Sequence, residues 1–354
     1  MVIGHWGLVI LKILQSCNFS IFKFYFMFNL ITIGDAVVDN HIILDEAEVE
    51  CSVDKKTCRL CLDYAAKVPV SESFQNIGGN AVNVAIGASK LGLSTAVLTD
   101  LGKDANGKTV ISELKKYGVD TKLTKLNPKN ETRFAIVLNY KGERTILSSH
   151  KKKIYSWPEN FPATDWIYYT SLSDGFETLQ KNLFAHLKKH PTVRLAYNPG
   201  SFQLKNSLSS VLETIKKTDV LIVNLQEAEV VLNTALQKEK SITAIIHKLL
   251  ALGAKEVVIT DAEKGAYAGD VNGVWSIASF PVKVVAKTGA GDAFSAGYLA
   301  ARQYDHDIKT ALAWGIANSC SVISSFGAHA KLLEKDNIKN YIKRYSNITP
   351  KKIS

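Results

Sequence analysis

From Asn29 onward the chain alternates short β-branched or aromatic runs with longer stretches whose apolar residues recur at helical spacing. Leu30 to Ile33 predicts a strand, and Ala81 to Leu91 a helix, because Val82, Ile86 and Leu91 fall near one helical face. Thr95 to Leu98 reads as the next strand and Gly107 to Tyr117 as the next helix. Short apolar runs return at Trp166 to Tyr169, Val193 to Tyr197, Val220 to Val223 and Val257 to Thr260, each beside a helical segment. One more, Val282 to Val285, predicts a strand ahead of an apolar helix. Strands alternating with helices give a mostly parallel sheet covered on both faces. The expected class is therefore α/β: a three-layer α/β/α fold around a central mostly parallel sheet. Right-handed crossovers then place ligands at the carboxyl ends of the strands.

Two segments interrupt the rhythm. Val37 to Ser73 carries acidic and apolar residues with turn signals but no helical period, and Thr132 to Leu147 reads as a hairpin, Phe134 to Tyr140 and Arg144 to Leu147, about Lys141-Gly142-Glu143. Together they predict a small β-sheet lid, with segments near 37–76 and 132–148. The main domain is expected over 27–345, with a basic tail at 346–354. Residues 1–26 are apolar but interrupted by Lys12, Gln15, Asn18 and Lys23. They lack the roughly 20 mostly apolar residues of a membrane span and the regions of a signal peptide. They are read as an extension outside the fold, so no membrane partner and a cytoplasmic location are expected.

Composition narrows the function classes. The 354 residues carry a net charge of +10, but the surplus lysines are scattered, as at Lys151 to Lys153, Lys188-Lys189 and Lys216-Lys217. No arginine-rich helix or aromatic-interleaved basic strand gathers them, so no nucleic-acid partner is expected. Five cysteines suggest no disulfide framework in a chain this long. Cys58 and Cys61, with Cys51 upstream, lack a fourth zinc ligand. Reduced thiols are the expectation.

The strongest chemical signal is Thr288-Gly289-Ala290-Gly291-Asp292 before an apolar helix. Small residues at Gly289, Ala290 and Gly291 allow backbone amides to approach a ligand, and amides at a helix N-terminus form an anion site. A carboxylate beside them, Asp292, can accept a hydroxyl proton during phosphoryl transfer. The plainer alternative is a helix cap, for which a Gly-Ala-Gly run is needlessly permissive.

That motif, with Ile77-Gly78-Gly79-Asn80-Ala81-Val82-Asn83-Val84-Ala85 near the start, resembles the ribokinase-like (PfkB-type) family over almost the whole main domain. The resemblance implies an ATP-dependent carbohydrate kinase using Mg²⁺, acting on a sugar. A nucleoside kinase of the same fold, or a catalytically silent ligand-binding homologue, remains as an alternative. By the same resemblance Asp39 binds sugar hydroxyls, Gly78 and Gly79 form a hinge beneath the lid, and Asn80 and Asn83 contact substrate. Asn80 reads equally as a helix N-cap. Asn224 and Glu227, in Asn224-Leu225-Gln226-Glu227, match a site organising magnesium and phosphate, with Glu227 as the metal-side carboxylate. Thr260 and Gly265 resemble an ATP-binding loop, and Asn318 lies on a helix expected to flank the adenine. Ala262 stands where the family usually has glycine, and Ala286-Lys287 where an Asp-Thr pair is common. Lys287 could thus supply the charge of a monovalent cation near the Gly289 to Gly291 loop. Sugar phosphates rank below free sugars and nucleosides, since no Arg-Lys pair is visible. A homodimer through the lid strands would protect their edges.

Overall fold

The computed structural model describes residues 27–52, 58–149, 151–232 and 241–354; the extension expected over 1–26 lies outside them. Strand β1 (Phe28–Ile33) opens the main sheet and β2 (Val37–Leu44) leaves it for the lid. A peripheral hairpin of β3 (Glu48–Cys51) and β4 (Cys58–Cys61) precedes β5 (Val70–Gly78), which returns along β2. Helix α1 (Asn80–Lys90), β6 (Thr95–Gly102), α2 (Ala105–Lys116) and β7 (Thr124–Asn127) follow. The hairpin β8 (Arg133–Tyr140) and β9 (Glu143–Ser148) completes the lid. The alternation resumes with β10 (Thr164–Tyr169), α3 (Glu177–Lys189), β11 (Arg194–Tyr197), α4 (Ser201–Asn206), α5 (Leu208–Ile215) and β12 (Val220–Asn224). It continues through α6 (Leu225–Leu232), α7 (Ile242–Ala251), β13 (Glu256–Thr260), β14 (Ala266–Asp270) and β15 (Gly273–Ile277). Helices α8 (Ala290–Gln303), α9 (Ile308–Ile323) and α10 (Lys335–Lys343) lead to a last short strand, β16 (Lys351–Lys352).

Among the described residues the main sheet runs β16-β15-β14-β13-β12-β11-β10-β1-β6-β7. It is parallel from β13 to β7 and antiparallel along the other edge. Period-two side-chain alternation explains the layers. Leu30, Trp166, Tyr168, Val220 and Ile222 enter one core, while Ile31, Ile33, Ile167, Tyr169, Leu221 and Val223 enter another on the opposite face. Helices α8 and α9 cover the first face, and α3, α5, α6 and α7 the second. With both faces buried, the central strands β1, β10, β12 and β13 read as nearly continuous apolar runs. This is the three-layer α/β/α arrangement expected from the sequence. The lid is a four-stranded sheet, β5-β2-β8-β9, in which β2 and β8 run parallel.

Three expectations change. Residues 282–285 form no strand; the edge position beyond β15 is taken by β16, and the Val285 amide instead donates to the Ile323 carbonyl at the end of α9 at 2.8 Å. Consequently residues 346–354 are not a detached tail, since Lys351 and Lys352 pair with Ser276 and Trp275, and the Ile353 amide donates to Val274 O. Cysteines Cys51 and Cys58, expected reduced, form a disulfide, because the β3/β4 register sets them directly opposite. Cys61 and Cys320 are free thiols. Among the described residues no helix is long and apolar enough to cross a membrane.

The disulfide lies in a hairpin whose residues are exposed or only half-buried, so it should open locally rather than with the core. Reductant is expected to leave the main melting transition within about 1 °C while accelerating amide exchange only in 48–61. A fall of several degrees in calorimetry would place the hairpin inside the cooperative unit.

Candidate active site

The chemistry gathers where the parallel strands end. Past β1 the chain turns through Gly34 and Asp35 into β2, which carries Asp39 into the lid junction. Asp39 is partly buried, and burial raises its carboxyl to about 6 against the opposing pull of Arg133 and Arg144. Opposite it, Gly78 closes β5; a Cβ there would stand 2.5 Å from the Asp39 carboxylate. Gly79 follows with φ +98°, and a side chain would collide with the Asp35 carbonyl. Only glycine allows this entry into α1. Gly79, not Asn80, is the N-cap of α1, and Asn80 sends its amide to Asn198 Oδ1 at 3.1 Å. The cap alternative for Asn80 is thereby set aside.

Asp292 occupies the first turn of α8, whose N-cap Gly289 takes the left-handed φ of +77°. Gly291 faces open space, since a Cβ added there would touch nothing within 4 Å. The N-terminal amides and dipole of the helix are thus unobstructed by a side chain at that position. Asp292 is only partly exposed. Burial raises its carboxyl to about 6; a hydrogen bond from Asn83 lowers it, and the charge of Asp39 raises it. That bond, Asn83 Nδ2 to Asp292 Oδ2, is 2.7 Å long. One turn further along each helix, Gly87 meets Ala296, and a Cβ on Gly87 would lie 2.7 Å from the Ala296 methyl. Small residues at that contact bring α1 and α8 close enough for the amide to reach the carboxylate.

At the end of β12, Asn224 and Glu227 form a reciprocal cap: Glu227 N donates to Asn224 Oδ1 at 2.8 Å, and Asn224 N to Glu227 Oε2 at 3.0 Å. The motif is therefore a capping box, and it also aims Glu227 inward. Burial raises Glu227 to about 7, and the neighbouring Asp292 charge adds to this. Asn198 bridges the two halves, accepting from Asn80 and supporting Glu227. A carboxylate pushed up by burial and by a neighbouring negative charge suits a divalent cation. No cluster of three or more His, Cys, Asp or Glu suited to a metal occurs among the described residues. That donor set fits Mg²⁺ carried by a nucleotide, which takes one or two carboxylates plus waters and phosphate oxygens. Thr260 lies beside Asn224 in the β12/β13 register, on the same rim.

The structure also brings in residues that the sequence reading did not single out. Lys153 Nζ, Tyr155 OH and Ser173 Oγ converge on buried Asp35 at 3.0, 2.9 and 2.6 Å, with Arg133 at 3.7 Å. The Arg-Lys pair absent from the linear sequence thus exists in space, held on one carboxylate. His329 reaches Asn83 from the far end of the chain. Asn198 had a local signal, a polar residue and Pro-Gly directly after a strand; His329 and Asp35 had none. An open groove of about 840 Å³ between Pro281 to Lys283 and α10 contains none of these carboxylates.

A family model described as pfkB family carbohydrate kinase matches residues 41–336. The chain belongs to the pfkB family of carbohydrate kinases. Among its relatives is the 5-dehydro-2-deoxygluconokinase of Bacillus subtilis (strain 168), 25% identical over 325 residues, covering 81% of this chain and 95% of the relative. An Arabidopsis thaliana ribokinase complexed with ribose and ATP superimposes with a TM-score of 0.73 at 18% identity, over 90% of this chain and 99% of that one. A Methanocaldococcus jannaschii nucleoside kinase gives 0.69 at 20%, over 89% and 98%.

Asn318 and the two departures from the pfkB pattern gain a physical reading. Asn318 does not open onto a nucleotide: fully buried, it donates to Ala293 O at 2.8 Å and accepts from Leu333 N at 3.0 Å. It braces the first turn of α8. Lys287 does not point into the Gly289 to Gly291 loop. Its ammonium lies 3.0 Å from Glu143 at the lid hairpin, largely in solvent, so it joins lid to body instead of replacing a cation. Ala262, at a position usually glycine, takes φ +43°, while Gly265 closes the same turn against the Ile277 carbonyl.

A left-handed alanine costs about 1 kcal/mol relative to glycine. Ala262→Gly should accordingly stabilise the protein by up to about 1 kcal/mol, a rise of about 2 °C in Tm. An unchanged or lower melting temperature would show that the turn is unstrained.

Proposed function

We propose that the chain transfers the γ-phosphoryl group of ATP to a hydroxyl of a free sugar, with Asp292 as general base. The observation that carries this reading is the Asp292 carboxylate, raised to about 6, at the open N-terminus of α8 and oriented by Asn83. The acceptor hydroxyl gives its proton to Asp292 as its oxygen bonds the γ-phosphorus; the bond to the β,γ-bridging oxygen breaks and ADP leaves. The amides of Gly289 to Gly291 neutralise charge on the transferring group. Asp39 holds acceptor hydroxyls, and the hinge at Gly78 and Gly79 lets the lid exclude water. Magnesium held through Glu227 would neutralise the phosphates, and Thr260 and Gly265 would line the nucleotide side. Convergence of Arg133 and Lys153 on Asp35, four residues before Asp39, favours a phosphorylated or acidic sugar as second reading. An ATP-consumption screen over sugars, nucleosides and sugar phosphates decides among these, and no turnover on any class would sink the reading.

Asp292 must be ionised to act, so kcat/KM should rise with pH through a limb near 6. Asp292→Asn is expected to lower kcat by ~10²–10⁴-fold. A carboxyl whose folded pKa is raised stabilises the fold while protonated and loses that contribution as pH climbs from about 4 to about 6. The uncharged amide should therefore melt at least about 2 °C above wild type at pH 7.5. More than about a tenth of wild-type turnover in Asp292→Asn would remove the base assignment.

Glu227→Gln tests the metal assignment without an acceptor. ATP with Mg²⁺ should raise the Tm of wild type more than ATP alone, and the variant should lose most of that magnesium increment. Equal increments in both proteins would place the metal elsewhere.

A further inference from the structure

His329 sits in the segment that follows α9 and lies 246 residues from Asn83, yet its Nε2 is 2.7 Å from Asn83 Oδ1. The other end of the same amide donates to Asp292 Oδ2, also at 2.7 Å. The proton positions in this chain are dictated by chemistry. An amide oxygen offers only lone pairs, so His329 Nε2 must carry the hydrogen. Burial lowers the imidazole to about 4, with Glu113 opposing, so the ring is neutral and Nδ1 bare. Without the imidazole N–H, nothing on this side distinguishes the two ends of the Asn83 amide. A flipped amide would turn its oxygen toward the Asp292 carboxylate and set acceptor against acceptor.

Resting on the reading of Asp292 as base, we infer that His329 is a positioning residue. Its Nε2–H fixes the Asn83 amide so that the NH₂ group faces Asp292, which leaves the second carboxylate oxygen for the acceptor hydroxyl. The loop that carries His329 is itself anchored. Ala328 packs on Gly289, where a Cβ would come within 2.5 Å of the Ala328 methyl, and the Tyr117 ring lies 5.4 Å from the imidazole. Behind the ring lies a polar cavity of about 100 Å³ lined by Gln75, Asn76, Thr109 and Glu113. One loop thus sets both the N-cap of α8 and the orientation of the base. The charged and titratable groups facing this chain are Glu113 of α2 toward His329, and Asp39 of β2, Glu227 of α6 and Tyr168 of β10 toward Asp292.

The test compares wild type, His329→Ala and His329→Gln as full chains, all checked by thermal melting. Losing a hydrogen bond to a carboxylate should move the acid limb of kcat/KM up by about one pH unit in His329→Ala. Turnover should approach the wild-type value about two units above the limb, where Asp292 is fully ionised. His329→Gln, which keeps an N–H donor, should hold the wild-type limb. A His329→Ala protein that is folded but keeps its limb, or loses kcat equally at every pH, overturns the inference. Titration of ¹³C-labelled aspartate carboxyls, with Asp292 assigned by its Asn variant, reads the same shift without any acceptor. A shifted carboxyl in a protein that phosphorylates nothing would sink the kinase reading and leave the positioning role standing; an unshifted one would sink the positioning role alone.

Discussion

One hydrogen bond, from the Asn83 amide to the Asp292 carboxylate, joins helices 209 residues apart and sets the geometry on which the site depends. A carboxylate beside a site for phosphates faces opposing demands: it must stay anionic to take a proton, yet it repels the group arriving next to it. Burial alone would protonate it. The Asn83 bond offsets part of that desolvation without adding positive charge that would compete for phosphate oxygens. Its length is set by the close pass of α1 over α8 at Gly87 and Ala296, which follows from how both helices pack on one face of the sheet. On its other flank the first turn of α8 is tied down by buried Asn318.

Asp39, Asp292 and Glu227 are all raised, each mainly by burial. Such clustering is costly in the free protein and typical of a site whose ligands supply the missing partners. On the proposed reading, hydroxyl donors would serve Asp39, a cation Glu227, and the arriving proton Asp292. The lid contact through Lys287 and Glu143 is exposed on both sides, and such pairs contribute at most about 1 kcal/mol. That contact adds little to hold the lid on the body, while Arg133 of β8 lies near Asp35 at the root.

The layers, the lid and the catalytic loop were legible because their signals are local. β1, β6 and β10 to β13 are apolar runs, and Gly-Ala-Gly-Asp announces a helix start by itself. What the sequence hid was pairing between distant segments. Val282 to Val285 has strand composition, but the edge it would have joined is occupied by residues 351 and 352, whose lysines look like tail. Cys51 and Cys58 read as reduced thiols until the hairpin register set them opposite. Asn318 has the right residue type for a nucleotide contact and spends both of its hydrogen-bonding ends on the protein. Arg133 and Lys153 are twenty residues apart in a lysine-rich stretch, so only the fold reveals them as a pair.

Two departures from the family pattern have local consequences: Ala262 takes a left-handed turn after β13, and Lys287 pairs with Glu143 of the lid hairpin. The surroundings of Asp292 are built differently. Asn80, Asn83, Asn198 and His329 each spend hydrogen-bonding capacity on another residue of the site, so changing one leaves a partner exposed to the wrong atom. A buried polar network of this kind is stiff only when every member is satisfied. It follows that the orientation of Asp292 is a property of four chain segments together, from α1, from the loop after β11, from α8 and from the loop after α9.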